Sequence, residues 1–278
     1  MLRSMYAGIS GLKNFQTKLD VIGNNIANVN TYGFKKGRTV FKDLYSQTVA
    51  GASGPGGNRG GVNPKQVGLG SQLAAIDTLH TAGSTQFTGN TLDLAIEGDG
   101  FFVVQNGAKG ENQFTRAGNF YLDQNGSLVD GDGRFVMVAD KKADGVTTDT
   151  AKGDLKQVDI PLTATSLSIG QNGVISYVEG GVLKEAGVIQ IAKFNNPGGL
   201  EKTGGNLYVD SPNSGTAVFN EPQVKGNGSI KSGSLEMSNV DLSEEFTEMI
   251  VAQRGFQANT RIITTSDEIL QELVNLKR

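Results

Sequence analysis

His80 is the single histidine of the chain, and histidine is the one side chain whose ordinary pKa suits proton transfer near neutral pH. Cysteine is absent. Thiolate nucleophiles, thiolate zinc sites, iron–sulfur clusters and disulfides are therefore excluded. One histidine also excludes paired-histidine metal sites, and any Ser-His-Asp arrangement would have to use His80 as its base. No Gly-x-Ser-x-Gly elbow accompanies it, so His80 reads as a surface residue rather than a base.

The acidic clusters fare no better. Asp123-Gln-Asn-Gly-Ser127 and Asp130-Gly-Asp132 imitate the start of a calcium loop. Such a loop needs glycine at its sixth position and a bidentate Glu at its twelfth. Counting from Asp123, the glycine falls fourth and the twelfth residue is Arg134, a cation. Two consecutive hairpin turns are the better reading. Glu97-Gly-Asp99-Gly100 is likewise a tight turn, where water keeps both carboxylates ordinary. The glycine clusters at 51–61 and 66–70 lack the GxxxxGK[ST] pattern of a phosphate loop. The sequence thus offers no catalytic, cofactor or metal residue, and function has to be sought in the elements themselves.

The two ends read as helix. Leu2, Met5, Ile9, Leu12, Leu19, Ile22 and Ile26 recur at steps of three and four, with Phe15 beside them, which predicts a helix over about 3–28. Asn28, Asn30 and Gly33 are its stop signals. Leu242, Phe246, Met249, Phe256, Ile263, Leu270, Leu273 and Val274 predict a second helix over about 242–275. Asp241 or Ser243 can cap it, and Lys277 and Arg278 suit its C-terminal dipole. Neither stripe can be buried by its own helix. The spacing predicts antiparallel pairing as a coiled-coil stalk.

Between the helices lie short apolar runs and four Asn-Gly pairs, at 106, 125, 172 and 227. Asn-Gly is the strongest short hairpin signal. Frequent turns with no βαβ alternation predict a mainly antiparallel β domain. Glycine is abundant, 39 of 278 residues, against an average near 7%. It concentrates at 50–61 and 225–234, which read as joints. The expected organisation is α+β. Residues 1–49 and 235–278 form a helical core with an adjoining extended segment, 50–70 a Gly-rich linker, and 71–234 an inserted β-rich outer domain.

The net charge of −3 supplies no basic face for nucleic acid and no pull toward anionic lipid. No run approaches the ~18 apolar residues of a membrane span. The first residues lack the continuous apolar core of a Sec signal, since Lys13 and Lys18 interrupt it. On residues alone, an assembly subunit and a generic β-domain binding protein both remain open.

The segment Leu19-Asp-Val-Ile-Gly-Asn-Asn-Ile-Ala-Asn-Val-Asn-Thr-Tyr-Gly-Phe-Lys35 narrows this. It resembles the N-terminal signature of the bacterial flagellar rod and hook proteins, N-N-[IL]-A-N-x-x-T-x-G-[FY]-[KR]. Leu92-Asp-Leu-Ala-Ile-Glu-Gly-Asp-Gly-Phe-Phe102, Phe114-Thr-Arg-Ala-Gly-Asn-Phe120 and the tail from Ser238 to Arg278 resemble further motifs of that family. Residues 140–235 match it more weakly. Within the family, Gly68-Leu-Gly70 and the terminal Val274-Asn-Leu-Lys-Arg278 lean toward the hook subunit, with the distal rod subunit as the alternative.

The resemblance implies a non-enzymatic subunit without cofactors. It would leave through the flagellar type III export apparatus and polymerise with itself into a helical tube. As a hook it would form a flexible joint, with rod protein, hook cap and hook–filament junction proteins as neighbours. As distal rod it would form a rigid shaft. The implied subunit interface comprises Met5, Ile9, Leu12, Leu19, Asn24, Asn25, Ile26 and Asn28 with Leu242, Phe246, Met249, Phe256, Ile263 and Leu270. The apolar members would be buried mainly on assembly. The Gly-rich joints would let the outer domains tilt.

Overall fold

The computed structural model describes residues 2–56, 60–107, 110–139 and 155–276. The chain divides into two compact units: residues 1–27, 37–78 and 241–278 make one, and residues 28–36 and 79–240 the other.

The first unit contains both long helices, α1 (Leu2–Ala27) and α2 (Leu242–Asn275). At ~1.5 Å per residue, α2 is about 50 Å long. Asp241 caps it, accepting from the backbone N–H groups of Ser243 (2.8 Å) and Glu244 (3.4 Å), and Glu244 and Glu245 place acids in its positive first turn. Lys277 and Arg278 lie outside the described residues.

The rest of this unit is a long two-stranded ribbon. β1 (Gly37–Asp43), β2 (Ser46–Ala50), β3 (Lys65–Gly68) and β4 (Ser71–Thr78) run out and back. β1 pairs antiparallel with β4, and β2 with β3. A Leu44 N–H to Gly70 carbonyl bond of 2.8 Å joins the two pairs.

This differs from the sequence expectation. The 50–70 segment is not a bare linker: it contains β3, and Ser53 and Val62 bridge across it. Residues 57–59 of its Gly-rich stretch lie outside the described residues. β4 likewise belongs here rather than to the β domain. Ladder pairing between segments some thirty residues apart carries no local period, which is why it was not legible.

The second unit is a mainly antiparallel β structure. Its central path runs through strands Ser166–Ile169, Val174–Glu179, Val182–Ile189, Phe135–Ala139, then β7 (Phe101–Gln105), β8 (Asn112–Thr115), and strands Leu207–Val209 and Glu201–Gly204. β5 (Thr85–Phe87) pairs with Ser234–Glu236, and β6 (Leu94–Glu97) with Ser229–Ser232.

Both faces of β7 are covered. Alternation along the strand sends Phe102 and Val104 into one core, with Leu94, Phe120, Ile175, Ile189 and Ile230. It sends Phe101 and Val103 into another, with Phe114, Phe194, Tyr208 and Phe219.

The 225–234 segment is therefore no free joint. Ile230 is buried in the first core, and Asn227 is buried with its amide directed at the carbonyls of Ile191, Asn220 and Glu221. Three of the four Asn-Gly pairs do place glycine at positive φ: Gly107, Gly126 and Gly173. The fourth pair, at 227, is core rather than hairpin.

Candidate functional site

α1 and α2 lie antiparallel. Going up α1, Gly8, Gly11, Phe15, Lys18 and Asn25 meet Ile263, Asn259, Gly255, Glu248 and Glu245 in descending order. A Cβ on Gly255 would stand 2.5 Å from the Phe15 ring, and one on Gly11 2.9 Å from the Asn259 amide. Small residues thus let the backbones approach, and polar groups set the register. Lys18 pairs with Glu248. Asn25 holds both the N–H and the carbonyl of Gly37 (3.0 and 2.9 Å) and donates to Glu245 (3.1 Å).

This line of contact takes in only part of the apolar stripe expected from the sequence: Ile22 is buried, Phe15 packs at Gly255 and Ile263 on Gly8. Leu242, Phe246, Phe256 and Ile9 stay exposed, Phe246 by 51%. Met5, Leu12, Leu19, Ile26, Met249 and Leu270 are half-buried, as is Ile263 where it packs on Gly8. Ile250, Val251, Ile269, Leu273 and Val274 add to the exposed apolar surface of α2. Among the asparagines, Asn24 is exposed and Asn28 half-buried. Asn25 is 1% exposed, so its side chain belongs to the fold of its own chain and not to a free surface. A helix-to-β1 clamp explains it better than a contact with a neighbour.

The second half of the signature, residues 28–36, is built into the other unit. α1 stops at Ala27. Gly33, at φ 68°, runs so close to Arg116 and Ala117 that a Cβ would come within 2.6 Å of their backbone. Its N–H donates to the Glu236 carbonyl at 2.8 Å.

This entry drives Lys35 into the interior, where it is fully buried. Its Nζ lies 2.5 Å from Glu236 Oε1 and donates to the Thr81 carbonyl at 2.8 Å. Arg116 Nη1 reaches Glu236 Oε2 at 3.2 Å, and the Gly83 N–H donates to Oε1 at 3.0 Å. Asn239 closes the arrangement, accepting from the Lys36 N–H (2.8 Å) and donating to the Leu79 carbonyl (2.9 Å). The points where the chain enters and leaves this unit are thereby tied together. Burial lowers the Lys35 pKa, and the Glu236 carboxylate opposes the shift.

The sequence reading included Lys35 and Arg116 only as letters of motifs and missed Glu236 altogether. A cation closing an otherwise apolar and glycine-bearing stretch, Gly33-Phe-Lys35, was the one available signal.

His80 is neither base nor surface residue. It is half-buried and packs edge-on against Phe101 and Tyr208, with ring centroids 5.5 and 5.4 Å away. Both ring nitrogens are shielded and, among the described residues, lack hydrogen-bond partners. Burial, helped by the positive charges of Lys35, Arg116 and Lys202, lowers its pKa to about 4. Burial also pushes Tyr208 up to about 12. The acidic clusters are turns. Asp130 and Asp132 both pair with Arg134, at 3.0 and 2.7 Å. Among the described residues no group of three or more His, Cys, Asp or Glu side chains could hold a metal ion.

A paired-helix unit with exposed apolar faces and a β unit holding the chain's two passages offer surfaces suited to a structural subunit, and the family matches and full-length relatives show that the chain belongs to the flagellar hook and basal-body rod protein family. Residues 5–35 match the flagella basal body rod protein model, 95–177 the FlgE/F/G hook protein D1 domain, and 231–276 the FlgEFG basal body rod C-terminal model. The flagellar basal-body rod protein FlgG of Bacillus subtilis is 59% identical over 280 positions, covering all of both chains. FlgG of Borreliella burgdorferi is 36% identical over 284 positions, again covering both fully. The flagellar hook protein FlgE of the same organism is 32% identical over an alignment of 444 positions. The family is a structural one, and its members are components of the flagellum.

Proposed function

We propose that this chain is a distal-rod subunit that polymerises head-to-tail into a straight, stiff helical tube within the basal body. This reverses the hook preference of the sequence reading. The exposed apolar surface of α2 is the observation that carries assembly. Phe246, Ile250, Val251, Ile269, Leu273 and Val274 are left open by the pairing with α1. Burying apolar surface contributes ~25 cal/mol per Å2, and identical subunits meeting through unlike faces form an open helix.

Rod is favoured over hook by the full-length identity to rod proteins. The hook alignment needs 444 positions to accommodate a chain of 278 residues, so the insertions of that relative have no counterpart here. The loss of 225–234 as a flexible joint points the same way. The helix pair then serves as the coiled-coil inner stalk and the β unit as the outer layer. Other rod subunits and the hook would be its neighbours along the axis, and type III export its route.

Electron microscopy of the full-length protein beside a chain lacking 1–27 and 241–278 tests this. Straight tubes from the full chain alone are expected. Curved tubes would restore the hook reading, and dispersed monomers at every salt and protein concentration would overturn self-assembly.

A further inference from the structure

A cavity of about 230 Å3 opens in the β unit, lined by His80, Asp99, Phe101, Arg116, Lys193 and Phe194 among others. Its chemistry is lopsided. Arg116 is buried, and its Nη groups bind Glu236 and the carbonyls of Ile96 and Gly98. Its Nε, like both nitrogens of His80, has no partner among the described residues.

Positive charge exceeds negative around it. Lys35, Arg116 and Lys202 all act on His80. Glu236 is the one carboxylate bridging Lys35 and Arg116. Lys202 spends its ammonium on the Lys35 carbonyl and the Phe34 ring. At the rim, Lys193 stands 4.0 Å from Asp99, whose carboxylate is largely in water. A buried donor without an acceptor is costly, and uncompensated buried charge more so.

We propose that this cavity is a carboxylate-binding site, taking an acidic side chain or a small organic acid between Arg116 and Lys193, with Phe101 and Phe194 against its apolar stem. One planar anion in the cavity offsets the excess positive charge around Arg116 and Lys193. A phosphate dianion would demand more donors than the lining offers. The site serves no part of the helix-mediated assembly argued above and stands whether or not the chain forms a rod.

The lone histidine makes the test direct, because His80 gives the only imidazole resonances of the chain. The soluble full-length protein is titrated with sodium formate and, separately, with sodium chloride at equal ionic strength. Formate should shift the His80 ring signals saturably and raise the His80 pKa by about one unit or more, since a nearby anion favours the imidazolium. Lys193→Met should weaken formate binding several-fold while leaving the rest of the spectrum intact. Equal, unsaturating drifts in formate and chloride would overturn the proposal, as would unchanged formate binding by K193M. Given a saturable shift, the source of the anion is read from sedimented assemblies without formate. His80 at its formate-bound position identifies a carboxylate of a neighbouring copy, and at its free position overturns a neighbouring copy as the source.

Discussion

Lys35 Nζ and Glu236 Oε1 lie 2.5 Å apart in the interior, although 201 positions separate them in the chain. Arg116 completes the group on the other carboxylate oxygen. Two cations share one anion, so the three residues are unequal. Removing Glu236 leaves two buried cations facing each other, whereas removing Lys35 leaves the Arg116–Glu236 pair. Glu236→Gln should therefore destabilise the protein by about 3–5 kcal/mol, and Lys35→Met by clearly less. Urea unfolding of both variants checks the order, and a reversed order would refute the shared-anion account.

His80 ties stability to pH. Its folded pKa of about 4 lies below the ordinary 6.5. Between those values the unfolded chain binds a proton that the native chain does not. The native advantage is complete above pH 6.5 and shrinks as pH falls through 4, by about 3 kcal/mol in all. Comparing the wild type with His80→Phe across pH 4–7 isolates this part. The variant should lose that slope while keeping the slope from carboxylates.

The close approach of the helices depends on Gly255. A Cβ placed there would stand 2.5 Å from the Phe15 ring, which leaves no room for a branched side chain. Gly255→Val should cost about 1–3 kcal/mol through overpacking. The loss should appear as protease sensitivity within α1 and α2, with residues 79–107, 110–139 and 155–240 still protected. Uniform loss across the chain would contradict a defect local to the seam.

Phe246 and Phe256 carry the opposite expectation. Phe246 is half exposed in the single chain and Phe256 37%, so Phe246→Asp should cost its stability no more than about 1 kcal/mol and Phe256→Asp somewhat more. If these faces are buried on assembly, each substitution removes ~1.5–3 kcal/mol of burial. The protein concentration needed for tubes should then rise at least tenfold, measured by sedimentation. Unaltered assembly would remove these faces from the interface.

What could be read directly from the sequence were the features encoded within a few residues of each other. The apolar steps of three and four placed both helices to within a residue or two. Asp241 or Ser243 was legible as the cap of α2, and Asn125-Gly126 and Asn172-Gly173 as hairpin turns, because φ preferences and capping are local. The family signature was legible for the same reason.

Only the tertiary structure decided what those pieces meet. It added Gly8, Gly11, Gly255 and Asn259 to the part of the apolar stripe that forms the helix seam and left the rest of the stripe open, because close backbone approach rewards the absence of a side chain. It turned 37–78 into a ribbon and wove 225–234 into the core, because ladder pairing depends on partners distant in the chain. It also made a buried triad of Lys35, Arg116 and Glu236. No short window contains that group, and only burial turns three common charges into a fastening.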